Sequence, residues 1–501
     1  MLMKKINSDN KGAMLVMALV FTSLFTVMAV GIAGVISSQH KLGQKKINWN
    51  QALGAAEAGI NYYRWHLAHD GQDYWDGNGE GAIGPFVRDY KDNLGNNIGK
   101  FSLEITPPAV CTNDVIIEST GWMNKDPDVT RTVKVKYGRQ SMATFAFLTN
   151  SNVWFGDSEI LSGPLHSNGG IRMDGFNDGV TTSFQQQYIC GYEHGCGNQT
   201  ECSLFSPYCS WVSGQGCECN GIWGVGGEQE LWDFPVSNVD FDAISTDLNP
   251  LLEIAQNSFC SASDDCHFKQ MGLGYRLEFL ANGSFNAYRV KKLKKPVWGF
   301  DGSSWIRESD DIDNTELLGN YIIPDDCGII FVEDDLWIDG VVNGNVTVVA
   351  ARLPDTGNDP KMVINGNLTY ATKDGSCALG LIAQSDIYVP LYAAPNNLEI
   401  NAVLLAQKGH VYRKHYTDTG YRKVIGNGKN YILRDRITLY GSIITNKFWT
   451  WSWVDGTGQT ISGYQNTESI YDPNLTYNPP PGFPTTGEYR FLQWEETTEK
   501  Q

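Results

Sequence analysis

Cysteine is the residue type whose placement most constrains the chemistry of this chain. There are 11 cysteines in 501 residues. Cys190, Cys196, Cys202, Cys209, Cys217 and Cys219 crowd one short stretch, and Cys260 and Cys266 form a second close group. In an oxidising compartment such crowding makes disulfides, and in the cytosol it more often holds metal. No C-x2-C knuckle is present, and Cys217-Glu218-Cys219 is too tight for ordinary zinc spacing, so disulfides are expected. The odd total leaves at least one thiol unpaired or paired between chains. Asp310, Asp311, Asp313 and Glu316, and separately Asp174 and Asp178, offer oxygen ligands for calcium, but neither set has EF-hand spacing. Glu333-Asp334-Asp335 supplies the paired carboxylates that glycoside hydrolysis needs. Three consecutive acids more often make a solvated corner. His166-Ser167 has no G-x-S-x-G elbow around it, and a buried turn with hydrogen-bonded His and Asn is the expectation. No Walker loop and no G-x-G-x-x-G cradle occurs. These residues point to a non-enzymatic chain with no required cofactor.

The net charge of -18 repels phosphate backbones and excludes nucleic acid as a natural partner. With 42 % hydrophobic and 19 % charged residues, the chain is not disordered by composition. The 53 glycines, 15 tryptophans and 23 tyrosines suit many turns between short aromatic-rich strands.

The elements that must position these residues begin with an apolar run. Met14 to Ile36 contains no charge and no proline, and it is long enough to cross a hydrocarbon core of about 30 Å as a helix. It is too long for a typical signal-peptide core, and no A-x-A site follows. Lysines flank both ends, so charge does not orient it, and the cysteines favour the C-terminal side outside. Trp49, Leu53, Ala56, Ile60, Tyr63 and Leu67 continue an apolar stripe at helical spacing, and the first proline is Pro85. One helix is therefore expected from about Ala13 to Ala68.

At these residues the chain resembles a known family. The basic leader ending Lys11-Gly12, followed by Ala13-Met14-Leu15-Val16-Met17-Ala18-Leu19-Val20, is similar to the class III signal of type IV prepilins. The run Ala52-Leu53-Gly54-Ala55-Ala56-Glu57-Ala58-Gly59-Ile60 is similar to the A-A-E-A-G motif of PilX-type minor pilins. The resemblance implies cleavage between Gly12 and Ala13 by a prepilin peptidase, and methylation of the new N-terminus. It implies other pilin subunits and the pilus assembly machinery as partners. Helix assembly would involve Met17, Glu57 and Gly59. Major pilins carry Glu where this chain has Met17, and PilX-type proteins often lack it, so the resemblance implies a minor rather than a major subunit. Gly163-Pro164-Leu165-His166-Ser167-Asn168, the block from Gly328 to Ala350 and the tail from Tyr471 to Pro484 resemble bacterial surface proteins with a PilX-like N-terminus.

The expected class is α+β: a long transmembrane, pilin-like helix followed by a mainly β extracellular region. The expected divisions are a leader at 1–12, the helix at 13–69 and a small α+β head at 70–139. A β-rich region follows at 140–324, with a Cys-rich insertion at about 188–226. Regularly spaced short strands at 325–455 suggest a right-handed parallel β-helix or related solenoid, with a β-sandwich as the alternative. Asp339-Gly340, Gly344-Asn345 and Gly366-Asn367 read as the turns between them. A Pro-rich extended tail at 456–501 completes the chain. The expected function is a minor pilin or pilin-like subunit at the cell surface or in the inner membrane, whose exposed aromatic loops bind a surface or glycan ligand. The alternatives are a membrane-tethered adhesin outside any filament and a tethered polysaccharide-acting enzyme.

Overall fold

The computed structural model describes residues 11–71, 73–109, 111–112, 114–157, 159–424, 429–455 and 458–497. Most of the leader, residues 1–10, lies outside them. The described chain is a long N-terminal helix followed by a large, mostly β region, and it divides into two compact units. The first contains 1–108, 114–138 and 490–501, and the second contains 109–113 and 139–489.

Helix α1 (Lys11–His69) is a single element of 59 residues. At about 1.5 Å per residue it is close to 90 Å long. Nothing in its sequence breaks it: no proline occurs, and the hydroxyls of Thr22, Ser23 and Thr26 bond to their own helix. Thr22 donates to the Ala18 carbonyl at 2.8 Å and Thr26 to that of Thr22 at 2.7 Å. Those side chains therefore expose no unsatisfied donor to lipid.

In the first unit, β1 (Phe86–Lys91), β2 (Asn97–Thr106), β3 (Val115–Met123) and β4 (Asp126–Ser141) form an antiparallel sheet in that order. The strand Thr485–Thr497 adds beyond β4. Burial alternates strictly along β3, which puts Val115, Ile117, Ser119, Gly121 and Met123 inside. That face meets Ala56, Ile60, Tyr63 and Leu67 of α1. Two of the period-two runs evident in the sequence are thus β2 and β4.

In the second unit, strands alternate between two ladders. In chain order they are β5 (Phe147–Thr149), β6 (Leu165–Ser167), β7 (Thr181–Ser183), β8 (Gly328–Val332), β9 (Leu336–Val342), β10 (Asn345–Ala350) and β11 (Met362–Tyr370). Then come β12 (Ala378–Ala383), β13 (Ile387–Tyr388), β14 (Asn397–Ala406), β15 (Val411–Tyr412), β16 (Leu433–Thr445) and β17 (Trp449–Thr450). The first ladder runs β8-β10-β12-β14-β16-β5-β6-β7, with every neighbour parallel. The second runs β9-β11-β13-β15-β17, also parallel. Register stacks like on like: Val332, Ala350, Ala383, Ala406, Thr445, Thr149, Ser167 and Ser183 follow one another across eight strands. The stack passes from apolar side chains to hydroxyls where β14 meets β16, one strand before the late strand β16 meets the early strand β5.

Three expectations change here. The ladder is not confined to 325–455, because β5, β6 and β7 extend it. Asp339-Gly340 and Gly366-Asn367 lie inside β9 and β11 rather than in turns. Gly340 has φ 113°, and a Cβ there would lie 2.2 Å from the Phe279 carbonyl oxygen, so the glycine serves close strand approach. The described residues of the segment 456–501 do not form an extended tail. Thr460–Tyr471 pairs parallel with β16, Thr485–Thr497 joins the first unit's sheet, and the Pro481 carbonyl accepts from Thr347 at 2.6 Å.

Candidate functional site

The sequence-derived site residues of α1 fall into two environments. Gly12, Ala13 and Met17 lie where every described side chain is exposed, and Met17 itself is 65 % exposed. A Cβ at Gly12, Gly31 or Gly34 would meet nothing within 4 Å. Gly31 leaves an apolar notch flanked by Met28, Ile32, Val35 and Ile36. No ionisable side chain occurs from Gly12 to Gln39. This is one helix long and apolar enough to cross a membrane, and its most apolar window has nothing in the protein covering it.

Glu57 and Gly59 lie in the other environment. A Cβ on Gly59 would sit 2.2 Å from the Ser119 hydroxyl and 2.8 Å from the Phe101 ring. From the opposite side, a Cβ on Gly121 would sit 2.3 Å from the Ala56 nitrogen and 2.4 Å from the Ala52 oxygen. The Ala/Gly run is therefore the contact at which helix backbone and sheet backbone nearly touch. Glu57 lies half-buried at its flank. The apolar stripe shifts accordingly: Ala52, Ala55 and Ala56 are buried, while Trp49 is 46 % exposed, with the Arg131 guanidinium 3.5 Å from its ring centre.

All eight cysteines singled out in the sequence are oxidised. The pairs are Cys190–Cys196, Cys202–Cys217, Cys209–Cys219 and Cys260–Cys266. The first three staple the insertion around Tyr188 and Trp223, in a segment too small to bury a core of its own. Sequence reasoning missed Cys111–Cys327, whose partners are 216 residues apart. Cys377 is the free thiol, buried and within 3.7 Å of the Thr372 hydroxyl.

The acidic groups are each engaged by separate partners. Asp310 meets Lys414 at 2.8 Å and Lys361 at 3.1 Å, Asp311 accepts from the Tyr392 and Ala393 amides, Asp313 pairs with Lys292 and Glu316 with Lys291. These four carboxylates do not form a shared oxygen cage. Asp174 accepts from Arg172 and Trp154, and Asp178 from Ser162 and the Gly163 amide. In the triple acid, Glu333 meets His267 at 3.0 Å, Asp334 accepts from the Met271 amide, and Asp335 accepts from that of Lys361. Burial pushes the Asp335 carboxyl up. His166 is in a strand, not a turn, but it is buried and bonded as expected, to Thr182 at 2.9 Å and Asn168 at 3.0 Å. Burial pushes its imidazole down. The Ser167 hydroxyl donates to the Ser151 carbonyl and accepts from the Gly169 amide, so it faces no base.

Asp310 also anchors a buried network that no sequence signal revealed. Lys414 bridges it to Glu308 at 2.7 Å, and the Tyr388 hydroxyl donates to it at 2.6 Å. Burial alone would raise the Asp310 carboxyl, yet the two ammonium groups and Tyr388 hold it well below the usual carboxylate range. Glu308 and Tyr388 lie in separate strands, Asp310, Lys361 and Lys414 lie between strands, and only the fold brings them together.

Protein-family models and curated proteins give no match to this chain. Among solved structures, the chain is similar to the competence-associated pilin ComZ from Thermus thermophilus. The identity is 14 %, and the alignment covers 90 % of this chain and 98 % of that one, with a TM-score of 0.28. At that score the likeness carries no argument.

Proposed function

We propose that this chain is a non-enzymatic, pilin-like surface subunit of the minor type, anchored by α1 with its β-rich body outside the membrane. The observation that carries this reading is the division of α1. A bare apolar half of spanning length continues, without a break, into a half locked on an antiparallel sheet. Five disulfides, all beyond that span, support an oxidising location for the body. In this reading a prepilin peptidase cuts between Gly12 and Ala13 and the new amine is methylated. The bare half packs among other pilin helices within the assembly machinery, and Ala18, Ala29, Gly31, Ala33 and Gly34 allow close approach. The two parallel ladders are read as the turns of a β-solenoid that carries the displayed surface.

Met17 favours few copies. An N-terminal ammonium in a low-dielectric bundle needs an acidic partner, and Met17 provides none to a neighbour. The same observation favours the second reading, a membrane-tethered adhesin that never enters a filament. Quantitative proteomics of sheared filaments separates the two. A minor subunit is recovered there at a small fraction of the principal pilin. Recovery only in membranes favours the tether, and recovery at parity with the principal pilin contradicts the minor-subunit assignment.

A further inference from the structure

We propose that Lys414 and Asp310 condense into an intramolecular isopeptide bond, with Glu308 carrying the protons. The groups that such a reaction needs meet in the second unit. The nucleophile is the Lys414 amine. Its side chain is 2 % exposed, and its Nζ lies 2.8 Å from Oδ2 of Asp310, itself 3 % exposed. Glu308 holds Oε2 2.7 Å from the same nitrogen. Charge that builds on Oδ1 during attack meets two donors, the Tyr388 hydroxyl at 2.6 Å and the Lys361 ammonium at 3.1 Å. Burial and the Asp310 charge push the Tyr388 hydroxyl well up, so it remains a donor. The Trp337 indole N–H fixes the electrophile's backbone by donating to the Asp310 carbonyl at 2.6 Å. Trp337, Val363, Tyr388 and Tyr412 are buried in one cluster, which keeps water from competing for the carboxyl.

The step balances without an outside reagent. The Lys414 ammonium gives a proton to Glu308, and the free amine attacks Cγ of Asp310. The C–N bond forms and the Cγ–Oδ2 bond breaks. Of the three protons on Nζ one stays, and two reach Oδ2 by way of Glu308, so the oxygen leaves as water. Burial would lower the Lys414 ammonium, but Asp310 and Glu308 hold it up. The pair therefore rests as ions, and Glu308 is needed to reach the free amine. Desolvation drives the condensation. It replaces the most buried ion pair with a neutral amide, whereas Lys361 and Glu308, 23 % and 41 % exposed, remain paired at 3.5 Å. The exposure of Glu308 also gives the released water a way out. The bond closes a loop between residues 104 positions apart, and reductants do not open it.

This inference does not rest on anchoring or filament entry. Tryptic mapping of the full-length protein, reduced and alkylated, tests it. Without the bond, trypsin separates Lys414 from the peptide His415–Arg422. With it, cleavage after Lys414 fails, and Lys414–Arg422 is recovered joined to Glu308–Arg352, lighter than the two peptides together by one water. That branched peptide is expected from the native chain and should vanish in Lys414→Arg. Glu308→Gln, checked as folded by circular dichroism, should lower the linked fraction about tenfold or more. Three results overturn the assignment: a native chain in which Lys414 is free, a branch through Lys361 instead, or a linked fraction that Glu308→Gln leaves undiminished.

Discussion

Along α1, the stretch from Gly12 to Asn50 and the stretch from Ala52 to Leu67 share small residues but meet opposite environments. Around Gly31 and Gly34 an added methyl would touch nothing. Around Gly59 and Gly121 it would drive into backbone and rings. The same residue type leaves a surface open in one half and brings two backbones together in the other. What differs is the partner: β3 offers Gly121 and Ser119 to the second half, whereas no other described element packs on the apolar part of the first. A bare apolar helix is stable only where lipid or other apolar helices surround it.

The strongest way to break this comparison is a pair of matched substitutions. Gly121→Val places a branched side chain against the Ala56 nitrogen and Ala52 oxygen, and it should cost the first unit about 3 kcal/mol or more. Gly34→Val should leave its melting temperature unchanged. Thermal unfolding in detergent micelles reads both, and equal effects would remove the distinction between the halves. Gly59→Val should fall between them, at about 2 kcal/mol, because Ser119 and Phe101 are side chains that can partly yield.

A smaller effect sharpens where the boundary falls. Arg131 is buried, pairs with Glu496 and lies over Trp49. Arg131→Ala should lower stability by about 1–2 kcal/mol. A double-mutant cycle with Trp49→Ala should show coupling, and additive losses would mean that packing on the sheet starts only after Trp49.

The smallest effect lies at the far end of the helix. Asp73 is 3.1 Å from His66 in the last turn and accepts from the Trp75 and Gly77 amides. Burial would raise its carboxyl, but those amides and His66 together lower it. A depressed carboxyl stabilises the folded state above its unfolded value of about 3.9, and that contribution is lost as the pH falls through the lower folded value. Unfolding between pH 5 and pH 2 should therefore show a steeper loss for the native chain than for Asp73→Asn. Identical slopes would remove Asp73 from the helix terminus.

How much of this was legible in sequence follows from how local each signal is. A helix expected from Ala13 to Ala68 spans Lys11–His69, because absent proline and continuous apolar spacing are properties of neighbouring residues. The insertion's cysteines are at most 15 residues from their partners, and their oxidation could be read from crowding. Cys111–Cys327 could not, nor could the docking of β5 on β16 or of Thr485–Thr497 beside β4. In each case the two segments carry no mark of one another until hundreds of intervening residues have folded. Trp49 was misplaced for a related reason. Spacing alone put it on the buried stripe, but Gly121 lets the alanines face the sheet and leaves Trp49 to Arg131. The Asp310–Lys414 network was invisible in the same way, and its aspartates looked like a calcium loop until their lysine and amide partners were in place.

The most direct test of the account is the N-terminal residue of the protein isolated from its own membranes, read by intact mass and terminal sequencing. The account predicts a chain that begins at Ala13 and is lost when Gly12→Val blocks processing, with the apolar half of α1 retained in the mature protein. A mature chain that still carries residues before Ala13, or one cut beyond Ile36 so that the apolar half is gone, would contradict it.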